Sequence, residues 1–295
     1  MGKSLAEEFP AARQTFEEAD DALGFPLSKL CFEGPDDALK LTENTQPALL
    51  AVSIAALRAM RDFAPSPDYV AGHSLGEYSA LVAAESLAFA DALRLVRRRG
   101  RYMQEAVPAG VGAMAALLKL PEGKLDSILA EAGRTGNGGE VVTAANFNSP
   151  DQIVIAGNRA AVERAMELAK AAGAKRAVPL PVSAPFHCPL MRPAQERLKP
   201  DLERTAFNDL DTPLVNNFEA REIRLGDDAR EGLYEQIPNP VRWTQSMRLL
   251  AENGVESWYE IGAGSVLTGL LRQIVPGAQY ISFGEAKDRS KFAAS

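Results

Sequence analysis

One run constrains this chain more than any other: Asp68-Tyr69-Val70-Ala71-Gly72-His73-Ser74-Leu75-Gly76-Glu77-Tyr78-Ser79-Ala80-Leu81. Tyr69-Val70-Ala71 reads as a short buried strand, and Leu75 to Ala84 as a helix with small residues along one side. Between them Gly72-His73-Ser74-Leu75-Gly76 matches G-x-S-x-G, the spacing of a sharp strand-to-helix turn. Ser74 takes the apex, and Gly72 and Gly76 give the backbone room. The Leu75 amide and the first-turn dipole of the helix then face the place where negative charge develops on an attacked carbonyl. The turn predicts an activated serine; the alternative is an ordinary strand–helix turn with a surface serine.

A serine of this kind needs a base. The chain has only two histidines, His73 beside the serine and His187 in the proline-bracketed loop Ser183-Ala184-Pro185-Phe186-His187-Cys188-Pro189. A lone loop histidine is usually polar surface, but scarcity makes His187 the candidate base. Cys188 reads as structural, because adjacent side chains diverge.

The helix that Asp91 would cap, running to about Val107, holds five arginines. At about 100° per residue, Arg94, Arg97, Arg98 and Arg101 share one side. Arg99 falls opposite, with Ala92, Val96 and Met103. An arginine on an apolar stripe is costly to bury unless it meets an anion. That anion is either a structural carboxylate or the carboxylate of a substrate held in a guanidinium fork.

From about Gly112 to Val182 the texture changes. Strands at Ala113–Leu120, Val141–Phe147, Ile153–Ala156 and Arg176–Val182 alternate with helices at Glu122–Ala132 and Ala160–Ala172. The order βαββαβ is the ferredoxin-like unit. It predicts an α/β fold in which residues 111–182 form a small ferredoxin-like subdomain inserted into a larger α/β body with a parallel sheet, built from 1–110 and 183–295. Elsewhere a helix spans Ser4 to Leu23, and Thr45-Gln46-Pro47 caps another running to about Met60, with proline in its first turn. Thr212–Val215 and Ser257–Ile261 read as strands and Gln236 to Pro240 as a polar turn. Val241–Asn253 and Val266–Ile274 read as helices, the second entered by the turn Gly262-Ala263-Gly264.

Composition limits the partners. A formal net charge of −7 argues against general nucleic-acid binding. No run of about eighteen apolar residues spans a membrane. The first residues have no signal-peptide core, and two cysteines are too few for a disulfide framework, so a cytoplasmic protein is expected. No metal-ligand cluster is evident.

With these residues in place, the sequence resembles the malonyl-CoA:acyl carrier protein transacylase family of bacterial fatty acid synthesis. The matching runs include Thr45-Gln46-Pro47-Ala48, Gly72 to Ala80, Arg99-Gly100, Met103-Gln104, Asn146 to Pro150, Pro185-Phe186-His187, Asn239-Pro240-Val241 and Gly262 to Leu267. The resemblance implies a two-step acyl exchange, from malonyl-CoA as substrate to an acyl carrier protein, by a monomer that needs no cofactor or metal. Ser74 is then the nucleophile and His187 the base, oriented by the backbone carbonyl of Gln236. The Leu75 amide serves the oxyanion, Arg99 pairs with the malonyl carboxylate, and Gln46, His73, Met103, Asn148 and Phe186 line the pocket. The family opens with a strand ending in Phe-Pro-Gly-Gln-Gly, whose glutamine amide completes the oxyanion hole. This chain starts at Met1-Gly2-Lys3-Ser4, beyond that motif, so one oxyanion donor and slow turnover or poor folding are expected. The rival readings are a serine esterase or thioesterase and a catalytically weak carrier-protein binding module.

Overall fold

The computed structural model describes residues 1–134, 139–182 and 184–292, so Ser183 of the histidine loop lies outside the described residues. The chain is mixed α/β, as expected. The elbow strand Val70–Ala71 pairs in parallel with Leu214–Val215, which pairs antiparallel with Glu222–Ile223. A second parallel pair joins Ser257–Ile261 to Gln279–Phe283. The parallel sheet of the larger body is therefore in two pieces rather than one. A cavity of about 1440 Å³ lies between them, bounded by Val70 and Ala71 on one side and Tyr259 and Ile261 on the other.

The long helix Thr42–Met60 runs through the main core, burying Leu50, Val52 and Ile54 and a series of alanines that allow close helix packing. It begins three residues before the expected Thr45 cap, so Pro47 lies beyond the first turn and the Glu43 carbonyl loses its usual helical donor. The Thr45 hydroxyl instead donates to the Leu39 carbonyl at 2.6 Å. The first helix is also two helices, Lys3–Glu8 and Pro10–Leu23. Pro10 has no N–H and pushes Phe9 into extended geometry, breaking the helix there. Helix Phe89–Glu105 starts at Ala88 rather than at Asp91, which sits in its first turn and pairs with Arg94.

The small sheet has the order Val142–Ser149, Gln152–Asn158, Gly112–Leu118, Arg176–Pro179, antiparallel throughout. This is the expected βαββαβ arrangement. Leu117, Ile155, Val162 and Ala165 form its own core with helices Leu125–Ala132 and Arg159–Ala171. A separate cluster of its residues, Met114, Val154 and Ala156, buries Cys188 and packs on Phe186. The residues either side of His187 are thus clamped by the small sheet.

Two of the helices without a clear sequence signal are Arg192–Arg204 and Gly226–Gln236. The first carries Pro193 in its first turn and Pro200 farther along inside the helix. The second overturns one expectation: Gln236 is the last helical residue, fully buried, and does not open a polar turn.

Candidate active site

Ser74 sits at the elbow with φ of 53°, in the left-handed region that L-residues with side chains rarely occupy. Such a conformation costs roughly 1–3 kcal/mol and persists only where the surroundings hold it. Asn217, fully buried, supplies that hold. Its Oδ1 accepts from the Ser74 amide at 2.6 Å, and its Nδ2 donates to the Gly72 carbonyl at 2.7 Å. Of the two elbow glycines only Gly72 is required sterically. A Cβ there would lie 1.9 Å from the backbone C and O of Gly76, whereas one on Gly76 would meet no atom within 4 Å.

The Ser74 hydroxyl lies 2.7 Å from Nε2 of His187, and Nδ1 of the same ring lies 2.9 Å from the Gln236 carbonyl. A carbonyl can only accept, so Nδ1 carries the proton and Nε2 presents its lone pair to the serine. His187 is buried, at φ of 57°, with a pKa pushed down to about 3 by desolvation first and by the nearby Arg99 charge second. The imidazole is therefore neutral, the form a general base requires. Cys188 is buried, its thiol donates to the Pro185 carbonyl, and its pKa is pushed up to about 12, so it is no nucleophile.

Arg99 is buried, 2% exposed, although it is charged. Its hydrogen-bond partners are neutral: Gln46 Oε1 at 2.7 Å, Gln236 Oε1 at 2.8 Å and the Ser74 hydroxyl at 3.0 Å. Burial lowers its pKa, opposed by Tyr78, whose ring centroid is 5.6 Å from the guanidinium, and by Glu77. A buried cation solvated by amide oxygens and a hydroxyl is poised to take an anion beside the serine. Arg94, Arg98 and Arg101 are exposed on the other side, paired with Asp91, Asp201 and Glu105, and Arg97 lies over the Phe25 ring.

Other candidates fall into two groups. His73 Nε2 is 2.8 Å from Asn148 Oδ1, Asn148 donates to Gln152 at 2.8 Å, and the His73 ring packs 5.5 Å from Trp243. Desolvation lowers the His73 pKa, so this histidine too is neutral. His73, Leu75, Gly76 and Asn148 line the 1440 Å³ cavity, which thus reaches the elbow. Met103 and Phe186 are placed by packing, Met103 one helical turn from Arg99 and Phe186 between the main core and the small sheet. Leu75 caps the elbow helix Gly76–Ala83, so its amide belongs to the helix end whose N–H groups lack intrahelical partners.

The chain matches the acyl transferase domain family over residues 1–286. It belongs to the acyl transferase family. Curated relatives within the family are named malonyl CoA-acyl carrier protein transacylase. The Escherichia coli K12 protein is 49% identical over 93% of this chain and 88% of its own length. The Bacillus subtilis protein is 49% identical over 93% and 86%. Among solved structures, an acyl carrier protein S-malonyltransferase from Vibrio cholerae superposes with a TM-score of 0.95 at 43% identity, covering 99% of this chain and 94% of that one. A malonyl-transacylase solved in complex with its type II PKS acyl-carrier protein gives 0.94 at 44%, covering 98% and 93%. The expected family and fold are borne out.

Three parts of this acyl transferase site escaped the sequence reading. Asn217 follows the strand Leu214–Val215 within an Asn-Asn pair, and that position was its only signal. The Gln236 side chain had no signal of its own, since the family resemblance points only to its backbone carbonyl. Glu77 was read as part of the elbow motif, yet it is fully buried, and desolvation raises its carboxyl pKa to about 7.

Proposed function

We propose that Ser74 takes the malonyl group of malonyl-CoA as an ester and passes it to the phosphopantetheine thiol of an acyl carrier protein. The observation that carries this reading is the Arg99 guanidinium lying 3.0 Å from a serine hydroxyl that is also bonded to a neutral histidine. His187 Nε2 removes the hydroxyl proton as the oxygen attacks the thioester carbonyl. Charge on the tetrahedral oxygen is met by the Leu75 amide at the helix start. His187 then returns the proton to the departing CoA thiol. The second half runs in reverse, with the carrier thiol as nucleophile. The Gln236 carbonyl stabilises the imidazolium by accepting from Nδ1 throughout.

Arg99 would pair with the free carboxylate of malonyl once the ester forms. This favours a diacid acyl group over a simple ester and separates the reading from an esterase. Gln46 holds the guanidinium, and His73, Met103, Asn148 and Phe186 shape the remainder of the pocket. Residues 1–110 with 183–295 serve as the catalytic body and 111–182 as its inserted subdomain. Lys175 and Arg176, both exposed on that subdomain, are the docking residues for an acidic carrier protein. No helix among the described residues is long and apolar enough to cross a membrane.

The test is transfer from labelled malonyl-CoA with and without a carrier protein bearing phosphopantetheine. Label on the carrier thiol is the expected result. Hydrolysis of simple esters without carrier labelling would make the protein an esterase, and carrier binding without either activity would make it a binding module.

A further inference from the structure

Glu77 is a carboxylate placed where it has every reason to pair with Arg99, and it does not. Both side chains are buried, on neighbouring helices, and each feels the charge of the other. Between them stands the Gln236 amide. Its Nε2 donates to Glu77 Oε2 at 2.8 Å and to the Ser74 carbonyl at 3.0 Å, while its Oε1 accepts from Arg99 Nη2 at 2.8 Å. Glu77 Oε2 also accepts from the Asn217 backbone amide at 3.1 Å. The second Glu77 oxygen, Oε1, is buried with no hydrogen-bond partner.

We infer that the Gln236 amide is a neutral spacer, positioning Arg99 against Ser74 while keeping Glu77 from claiming it. Arg99 needs negative potential nearby to stay buried and charged, and Glu77, when ionised, supplies it from one amide away. A direct Glu77–Arg99 pair would fill the guanidinium fork and leave nothing for an incoming acyl carboxylate. Passing the attraction through the amide dipole keeps the fork aimed at the serine with only neutral, displaceable partners. The same residue also orients His187 through its carbonyl. One helix end therefore sets the base with its backbone and the acyl selectivity with its side chain. Gln236 and Glu77 act here as positioning residues, and the inference rests on the reading of Arg99 as the carboxylate receptor.

The spacer is tested by Gln236→Glu. This variant keeps the backbone carbonyl for His187 and an acceptor for Arg99, but replaces the neutral partner with a charged one. KM for malonyl-CoA and for acetyl-CoA is measured in acyl-enzyme formation, alongside thermal melting to confirm folding. The expected result is a rise in the malonyl KM at least about tenfold greater than the rise in the acetyl KM, with kcat for the two falling by similar factors. Gln236→Met, which removes both polar ends of the spacer, should also lower the malonyl-to-acetyl ratio of kcat/KM. Equal changes in KM for both thioesters, or a ratio unmoved in every variant, would overturn the spacer while leaving the acyltransferase reading intact. A wild-type protein that forms no acyl-enzyme from either thioester would overturn both together. A Gln236→Glu variant that fails to melt cooperatively leaves Gln236→Met to decide the matter by the same ratio.

Discussion

The Arg99 guanidinium donates through Nη2 to the Ser74 hydroxyl oxygen at 3.0 Å, placing a buried cation against the atom that would carry the acyl group. Arg99→Ala should therefore weaken malonyl transfer far more than acetyl transfer, since only malonyl offers a carboxylate. Hydrogen bonds to charged groups are worth roughly 1.5–3 kcal/mol, so the expected difference is one to two powers of ten in kcat/KM. Parallel acylation kinetics with the two thioesters measure it. Equal losses would make Arg99 a structural arginine.

The base makes a prediction of its own about pH. His187 is held neutral, with a pKa near 3, so the acid limb of acylation should lie far below the ordinary histidine range. A limb near 7 would instead report Glu77, whose pKa is about 7, and Glu77→Gln should remove it. The two groups also act oppositely on stability. His187 is depressed, so the unfolded chain binds its proton first and stability falls as pH drops from about 6.5 toward 3. Glu77 is raised, so its contribution is complete below about 4.5 and is lost as pH rises to about 7. Denaturant melts of the wild type and of Glu77→Gln across pH 4 to 8 check the sign. Between about 4.5 and 6.5 the two slopes oppose each other in the wild type, so Glu77→Gln should uncover there the rise in stability with pH that His187 contributes.

The elbow glycines should respond unequally to the same added methyl. Gly72→Ala places a Cβ 1.9 Å from Gly76 backbone atoms, so the turn must open, at a cost above the roughly 1–3 kcal/mol typical of overpacking. Gly76→Ala points into open space and should change stability by less than about 1 kcal/mol. Thermal melts of the two variants compare them directly.

These contrasts mark how far the sequence could be read. Helical periodicity alone separated Arg99 from its four arginine neighbours, because burial on one face follows from 3.6 residues per turn. The pairing of Ser74 with His187 was legible through scarcity, since only two histidines were available. The small sheet was legible because its strands and helices alternate with clear boundaries. Asn217 was not legible: its bonds to Ser74 and Gly72 span more than 140 residues, and nothing local announces them. Gln236 was misjudged for a related reason. Its run of polar neighbours suggests a turn, whereas tertiary packing buries it at a helix end. Pro47 misled because proline usually marks a helix start, and here the core packing of Thr42–Met60 overrides that preference.

Carrier docking gives a further prediction. Reversing the charges of Lys175 and Arg176 should raise KM for the carrier protein several-fold and leave acylation by malonyl-CoA unchanged. Surface charges of this kind act mainly on encounter, so the effect should shrink as salt is raised. A carrier KM that does not move would direct attention to Arg94, Arg97, Arg98 and Arg101, despite the partners that occupy them.

The central claim is that Ser74 carries the acyl group, and intact mass after brief incubation with malonyl-CoA tests it most directly. Wild-type protein should gain one malonyl group, Ser74→Ala should gain none, and His187→Ala should gain it far more slowly, because an unassisted hydroxyl is a poor nucleophile at neutral pH. A malonyl adduct of undiminished yield on the Ser74→Ala protein would contradict the account.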